Sequence, residues 1–196
     1  LRITDTLHRL ASGFVSISLR GPAWILPALP FKRLKISGDS LDVSIRYLQA
    51  MALMGPWYEI PPLLVNSTSI SKSSIRRTLL LRQRIRPHLR SERQSSKPSI
   101  RPIFWLEGEE EGLLMSECGV NPYSQWFIGD GVVVAPILDT RFSHRNIYIP
   151  RGEWLDLMHS GANIVGPTCL RRYQVTILET PIFERLKVPT GRHLEI

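Results

Sequence analysis

The sequence predicts an α+β protein in which helical segments precede a strand-rich half. Apolar residues recur at helical spacing before residue 91, whereas short β-branched and aromatic runs separated by Gly, Pro and Asn follow residue 100. A hydrophilic connection at 91–99 lies between the two patterns. With 196 residues and 43% hydrophobic content, the chain can bury a sizeable core.

The first helix is predicted between the GDS sequence at 38–40 and Gly55. Asp39 directly precedes it, a position typical of a helix cap. The WYEIPP segment at 57–62 is predicted to be extended, because its two prolines exclude helix. The polar run at 66–74 is predicted to be a loop. The apolar residues of the first helix recur at helical spacing: Leu41, Ile45, Leu48 and Ala52.

The second helix is predicted over about 73–90. Helical geometry places Arg82 and Arg86 on its apolar face, where each needs a carboxylate or carbonyl partner because an unpaired buried charge is costly. Pro87 is expected to kink or end the helix. The apolar residues of that face are Ile75, Leu79, Ile85 and Leu89.

Five short runs are typical of strands, namely 103–105, 132–134, 147–149, 175–177 and 182–183. The glutamate cluster at 107–111 is flanked by glycine, a composition that indicates a solvated loop. Cys118 and Cys169 lack metal-ligand spacing, so a single disulfide and two buried thiols both remain open. The five histidines are dispersed, so no zinc site, catalytic dyad or cofactor is predicted.

The net charge of +8 is concentrated at 72–101, where ten Lys and Arg residues face one acidic residue. Such a stripe could attract phosphate. Aromatic stacking residues are missing between Lys72 and Ile103, which favours a solvated helix face and no nucleic-acid partner. No apolar run reaches the 18 residues typical of a membrane span.

The most specific pattern joins QWFIGD at 125–130, VVVAPIL at 132–138 and IYIPRGEW at 147–154. It resembles the QFLIGD, LLVAPVL and VYLPxGxW landmarks of glycoside hydrolase family 31. Upstream, RPIFW at 101–105 resembles the RPLFW strand of the family, and VSIRYLQ at 43–49 resembles its ELYVRWLQ helix.

The resemblance implies four regions: an unmatched segment at 1–37, the last β/α units of a (β/α)8 TIM barrel at 38–105, a connecting loop at 106–124, and an all-β sandwich at 125–196. It also implies that the chain is the C-terminal part of a retaining glycosidase, an enzyme that hydrolyses O-glycosyl bonds. The location that the resemblance implies is the secretory pathway or the endoplasmic reticulum. Both catalytic aspartates of the family fall outside the matched segments. We therefore expect a fragment that is inactive alone, as the absence of an initiating Met also indicates.

The resemblance leaves three candidate substrate contacts for a carbohydrate in the intact parent: Asp39, Trp57 and Trp105. Asp39 resembles the aspartate of the GGD loop of the family. Trp57 does not occupy one of the motif positions that favour core packing. Trp105, like Trp126 and Trp154, could stack on a sugar, although the motif positions of all three favour core packing.

Asp130 and Asp156 also belong to matched motifs, and both are predicted to be turn or surface hydrogen-bonding residues rather than catalysts. The alternative hypothesis is a non-catalytic module that contacts carbohydrate or protein through the β-rich half alone.

Overall fold

The computed structural model describes residues 7, 13, 41–54, 69–91, 100–106, 109–159 and 161–186. This part of the chain is an α+β structure built around an antiparallel sheet, as predicted. Its elements from residue 41 onwards are α1 (Leu41–Ala52), α2 (Ser69–Ser91), β1 (Ile100–Pro102), a 3₁₀ helix (Ile103–Leu106), α3 (Glu109–Glu117), β2 (Trp126–Ile128), β3 (Val132–Val134), β4 (His144–Asp156), β5 (Asn163–Gln174) and β6 (Ile182–Arg185).

The described strands form one sheet in the order β1-β2-β3-β6-β4-β5, and all neighbouring pairs are antiparallel. The short strands β1, β2 and β3 lie side by side, and β6 joins them to the long hairpin of β4 and β5. β1 therefore belongs to the same sheet as β2, although the sequence places residue 105 at the end of a preceding barrel. That domain division stays a prediction.

Alternation along β2 and β3 builds two hydrophobic cores, because successive side chains point to opposite faces of a sheet. One face carries Trp126, Ile128 and Val134, which pack with α1 and α2. The other face carries Phe127 and Val133, which pack with residues of β4 and with the end of α3. Both faces of the central strands are thus covered by other elements of the chain.

Helix α1 is buried along almost its whole length, from Val43 to Ala52. Its position confirms the first predicted helix, while the proposed cap at 38–40 lies outside the described residues. Burial on all sides is unusual for a helix that also contains Arg46 and Gln49, since buried polar groups require hydrogen-bond partners.

Helix α2 begins at Ser69, so the prediction of a loop over 66–74 is wrong from residue 69 onwards. Pro87 does not end the helix, which continues to Ser91. A proline this close to the C-terminus disturbs only the last turns, so the cost is limited.

The buried face of α2 is rotated away from the predicted one. In the first half of the helix the buried residues are small and polar, namely Ser71, Ser74 and Thr78. In the second half they are apolar, namely Leu81 and Ile85. Ile75 and Leu79 are half-buried, and Arg82 is half-buried and donates to the Ala52 carbonyl oxygen. Arg86 is exposed, so the expectation of a buried partner was wrong for this residue.

Three strand and loop predictions were also wrong. The 103–105 run belongs to a 3₁₀ helix, since β1 ends just before it, at Pro102. The 175–177 run lies beyond the end of β5. The glutamate-rich segment is helical from Glu109, as part of α3. The runs at 132–134, 147–149 and 182–183 are strands as predicted.

Of the two open possibilities for the cysteines, the structure contains the disulfide. Cys118 and Cys169 are bonded, and their Cα atoms are 5.7 Å apart. The bond connects the residue that follows α3 to the middle of β5.

Candidate functional site

Trp105 is the one candidate contact of the three that falls within the described residues, since Asp39 and Trp57 lie outside them. It belongs to the 3₁₀ helix after β1, and 46% of its surface is exposed. The core interpretation was therefore wrong for Trp105, whereas Trp126 and Trp154 are fully buried as it predicted. The role of Trp105 in sugar contact stays a prediction.

Phe104, which directly precedes Trp105 in the chain, and Tyr123 are also partly exposed aromatic residues. Phe104 packs edge to face against Tyr123, with ring centroids 5.8 Å apart and an interplanar angle of 83°. Phe104 and Tyr123 are 37% and 36% exposed. We call Phe104, Trp105 and Tyr123 the aromatic surface. Such rings offer contact area with little conformational entropy to lose on binding.

The turn that carries Tyr123 is held in place by hydrogen bonds. The Tyr123 amide donates to Asn121 Oδ1 over 2.9 Å, and Ser124 Oγ donates to the Asn121 carbonyl oxygen over 2.7 Å. Arg145 of β4 donates to the Ser124 carbonyl oxygen and to its hydroxyl, at 2.9 and 2.8 Å. Burial lowers the pKa of Arg145 to about 10. Tyr123 thus sits on a turn fixed by hydrogen bonds, and the three residues of the aromatic surface include no acid or base for catalysis.

The residues of the matched motifs fasten the sheet together. Gln125 bridges β2 and β4: its side-chain amide donates to the Tyr148 carbonyl oxygen at 2.8 Å and accepts from the Tyr148 amide at 3.3 Å. Buried Arg101 of β1 forms an ion pair with Asp130, which follows β2. Trp154 Nε1 donates to the Pro150 carbonyl oxygen at 2.8 Å. These contacts give the motifs a structural role.

Asp156 forms a second cluster at the end of β4. Its carboxylate accepts the Tyr173 hydroxyl at 2.7 Å and the backbone amide of Met158 at 2.8 Å, and His159 Nδ1 lies 3.4 Å away. Burial, the hydrogen bond and the charge of Asp156 together raise the pKa of Tyr173. Asp156 is buried, so the prediction of a surface position was wrong, while the prediction of a turn hydrogen bond is confirmed.

Arg46 and Gln49 of α1 hold the loop between β5 and β6. Arg46 donates to the carbonyl oxygens of Glu179 and Thr176 at 3.0 and 3.3 Å, and Gln49 donates to that of Ile177 at 2.9 Å. Burial lowers the pKa of Arg46 to about 10, although the carboxylates of Asp42 and Glu179 act in the opposite direction. These side chains are two of the polar members of the VSIRYLQ motif, and their hydrogen bonds explain how the helix can bury both of them.

Helix α2 reaches the same half of the sheet through ion pairs. Arg77 lies 3.6 Å from Glu179, and Arg84 lies 2.6 Å from Glu184. His88 Nε2 is 3.4 Å from the other oxygen of Glu184. The prediction of a merely solvated basic face was therefore wrong for Arg77 and Arg84, although both remain substantially exposed.

Sequence reasoning missed the contacts between histidines and carboxylates, because His88 and Glu184 are far apart in the chain and come together only through the fold. Among the residues that the structure describes, no group of three or more His, Cys, Asp or Glu side chains is arranged to hold a metal ion. No described helix is long and apolar enough to cross a membrane.

Comparison with known proteins shows what part of the chain is similar to. Residues 96–186 match the glycosyl hydrolase family 31 C-terminal domain. The SITS-binding protein of Tetronarce californica is 33% identical over 92 residues, covering 46% of this chain and 12% of that protein. The myogenesis-regulating glycosidase of Mus musculus is 25% identical over 161 residues, covering 76% of this chain and 22% of that protein. This chain therefore spans less than a quarter of the length of either relative.

Solved structures share the fold. A cycloalternan-degrading enzyme from Trueperella pyogenes, in complex with cycloalternan, has a TM-score of 0.60 at 20% identity and covers 76% of this chain and 22% of that one. A Flavobacterium johnsoniae dextranase of glycoside hydrolase family 31, complexed with isomaltotriose, has a TM-score of 0.57 at 18% identity. The match covers 74% of this chain and 18% of the dextranase chain.

Proposed function

We propose, from the premise that residues 96–186 belong to the glycosyl hydrolase family 31 C-terminal domain, that this chain is the C-terminal part of a retaining glycosidase. The intact parent would hydrolyse O-glycosyl bonds. The observation that carries the proposal is the domain match, and the structural use of its motif residues supports it. Gln125 and Arg101 each tie one strand or turn of the sheet to another, and the Arg185 guanidinium of β6 lies over the Trp154 ring of β4.

In this proposal α1 and α2 are the last helices of a (β/α)8 barrel, and the strands form the β-sandwich that follows it. The contacts of Arg46, Gln49 and Arg77 with the 175–181 loop support this arrangement, because they connect both helices to the β-rich half. The β-rich half would then act as a brace that fixes the end of the barrel.

Catalysis by a retaining glycosidase requires two carboxylates about 5–5.5 Å apart that face one anomeric carbon. The carboxylates of the matched motifs have other partners: Asp130 pairs with Arg101, and Asp156 accepts the Tyr173 hydroxyl. They support the sheet and do not face an open pocket as a pair. The proposal therefore assigns no catalytic residue to this chain, and the parent would supply the two aspartates from its upstream barrel.

For the substrate of the parent we infer an oligosaccharide of glucose, on the analogy of the dextranase that was solved with isomaltotriose. Asp39, Trp57 and Trp105 are the proposed contacts. Trp105 has the exposed ring that such a contact needs. Asp39 and Trp57 rest on the sequence alone.

The proposal is tested by two measurements. The purified chain should give no turnover of isomaltotriose or of aryl α- and β-glycosides of glucose and galactose. The transcript that encodes this chain should contain, upstream of Leu1, barrel segments with two aspartate motifs. Turnover that a single substitution such as Asp39→Asn abolishes would contradict the inactive fragment, and an upstream sequence without a barrel would contradict the glycosidase parent.

The aromatic surface is the specific observation that favours the second candidate, a module that contacts carbohydrate without cleaving it. Intrinsic fluorescence of the chain during titration with isomaltotriose tests this candidate. Trp105→Ala should abolish any saturable change, whereas Tyr123→Phe keeps the ring and serves as the matched control. Binding that survives Trp105→Ala would remove the aromatic surface from consideration.

A further inference from the structure

Most side chains of helix α3 from residue 112 onwards are exposed or half-buried. It is nine residues long, and isolated helices shorter than about 12–15 residues are marginal in water. Leu113 and Leu114 are 63% and 41% exposed. Met115 is buried in the second core, and so is Cys118, directly after the helix. The C-terminal end of the helix is therefore attached to the sheet.

The disulfide is placed at this attachment. Cys118 is 1% exposed, and its carbonyl oxygen accepts the side-chain amide of Asn146 at 2.9 Å. Its partner Cys169 lies on β5, the last strand of the sheet, which pairs with β4. The bond closes a loop of 51 residues, and a cross-link between such distant residues removes much of the freedom of the unfolded chain. It joins a short helix to an edge strand.

We infer that this chain matures in an oxidising compartment, where the Cys118–Cys169 bond forms as a structural disulfide and fixes α3 on β5. Disulfides persist in secreted proteins and in the endoplasmic reticulum, and they are rare where glutathione and thioredoxin keep thiols reduced. Both cysteines of the chain are used in the bond, and neither is left as a reactive thiol. That pattern is typical of a structural disulfide rather than of a redox-active pair.

The sequence contains a second, independent indication of the same compartment. Asn66, Ser67 and Thr68 form an N-x-S/T acceptor for N-glycosylation, which has a function only in a protein that enters the secretory pathway. These three residues lie outside the described part of the chain, so they contribute through their sequence alone. A glycan on Asn66 would provide a readout of compartment that does not depend on the disulfide.

The redox state of the natural protein tests the inference directly. Cells that express the full chain from its own transcript are lysed in N-ethylmaleimide, and the chain is mapped by mass spectrometry without reduction. We expect a peptide containing Cys118 linked to one containing Cys169, and a mass loss on glycosidase treatment that Asn66→Gln abolishes. A chain in which both cysteines carry N-ethylmaleimide would overturn the inference.

The structural role is tested separately on the purified chain. Reduction, or the double change of Cys118→Ala with Cys169→Ala, should lower the melting temperature by at least about 5 °C. Amides of α3 and of the neighbouring β5 should exchange faster in the reduced protein, while those of β3 should change less. The double variant is the control for the reductant, which should have no effect on it. Equal melting temperatures of oxidised and reduced wild type would contradict a structural disulfide.

Discussion

The sheet and the pair formed by α1 and α2 are stabilised in different ways. Central strands β2 and β3 are covered on both faces, and motif residues such as Gln125 and Arg101 connect strands and turns within the sheet. The helices instead depend on contacts with other parts of the chain. Arg46 and Gln49 reach a loop that follows β5, and Arg77 and Arg84 reach carboxylates near or on β6.

Helix α2 shows the difference most clearly. Its buried face contains Ser71, Ser74 and Thr78, whereas Leu80 on its outer side is 56% exposed. A cavity of about 410 Å³ opens along that outer side and is lined by Ile75, Leu79 and Leu80 together with basic residues. The comparison teaches that the β-rich half builds one core from its own residues, whereas it shares the other core with α1 and α2.

The largest expected effect belongs to the sheet. Trp154→Ala removes a fully buried ring and its hydrogen bond to the Pro150 carbonyl oxygen. It also removes the contact of that ring with the Arg185 guanidinium, which lies 4.5 Å from the ring centroid. The free energy of unfolding should fall by about 3–5 kcal/mol, as for other large buried aromatic residues. Urea denaturation measures the loss. Leu80→Ala on α2 is the control and should change stability by about 0.5 kcal/mol or less. Equal losses would remove the distinction between the two regions.

The second effect concerns the connection between the regions. Arg46→Ala leaves the carbonyl oxygens of Glu179 and Thr176 without their charged donor. Hydrogen bonds to charged groups are worth about 1.5–3 kcal/mol, and we expect a loss of that size in urea denaturation. Arg86→Ala, which changes an exposed arginine of α2, should be close to neutral. A neutral Arg46→Ala would show that α1 is held by its apolar contacts alone.

A third effect tests the close approach of β4 and β5. A Cβ atom on residue 166 would lie 1.9 Å from the Pro150 carbonyl oxygen, so Gly166→Ala forces the backbone of the hairpin apart. Overpacking of this kind costs about 1–3 kcal/mol. Gly112→Ala in α3 is the matched control, because nothing lies within 4 Å of the added atom and alanine favours helix. The thermal midpoints of the two variants should move in opposite directions.

The smallest effect is on pH dependence. Burial alone would raise the pKa of Glu179, but hydrogen bonds from Thr176 and the charges of Arg77 and His159 outweigh it and hold the pKa below its ordinary value of 4.5. A lowered pKa means that the ionised carboxylate stabilises the folded protein above about pH 4.5, and that this stability is lost as the pH falls through the folded pKa.

Glu179→Gln should therefore reduce the stability lost between pH 7 and pH 3, measured as the change in thermal midpoint. Glu117→Gln changes an exposed carboxylate of α3 and should leave that difference as in the wild type. A Glu179→Gln profile identical to the wild-type profile would show that the contacts with Thr176 and Arg77 have no energetic weight.

The sequence predicted the class of fold because the strongest patterns are local. Three valines at 132–134 and the alternation of β4 are typical of strands, and they form strands. The 103–105 run has a similar composition, but Pro102 before it has no backbone N–H to donate to a neighbouring strand. The strand ends there, and the chain continues as a 3₁₀ helix. Helix α3 was missed because glycine flanks its glutamates, although Glu itself is a good helix former.

The candidate site was less accessible to sequence reasoning. Arg77 and Glu179, or Arg84 and Glu184, are about a hundred residues apart, and no local pattern indicates such pairing. The exposure of Trp105 depends on where the neighbouring elements end, which periodicity does not specify. The disulfide was one of two open possibilities, because two cysteines without a spacing pattern do not reveal whether their side chains meet.

Native-state hydrogen exchange across both regions tests the central claim, that the β-rich half has a core of its own whereas α2 is held only by the core that it shares with the sheet and by ion pairs. Protection reports the free energy of local opening, which differs between parts of one structure. We predict slower exchange for the amides of 132–135 and 147–149 than for those of 76–89. Equal or reversed protection would contradict both the division between the regions and the proposal that the helices belong to an incomplete barrel.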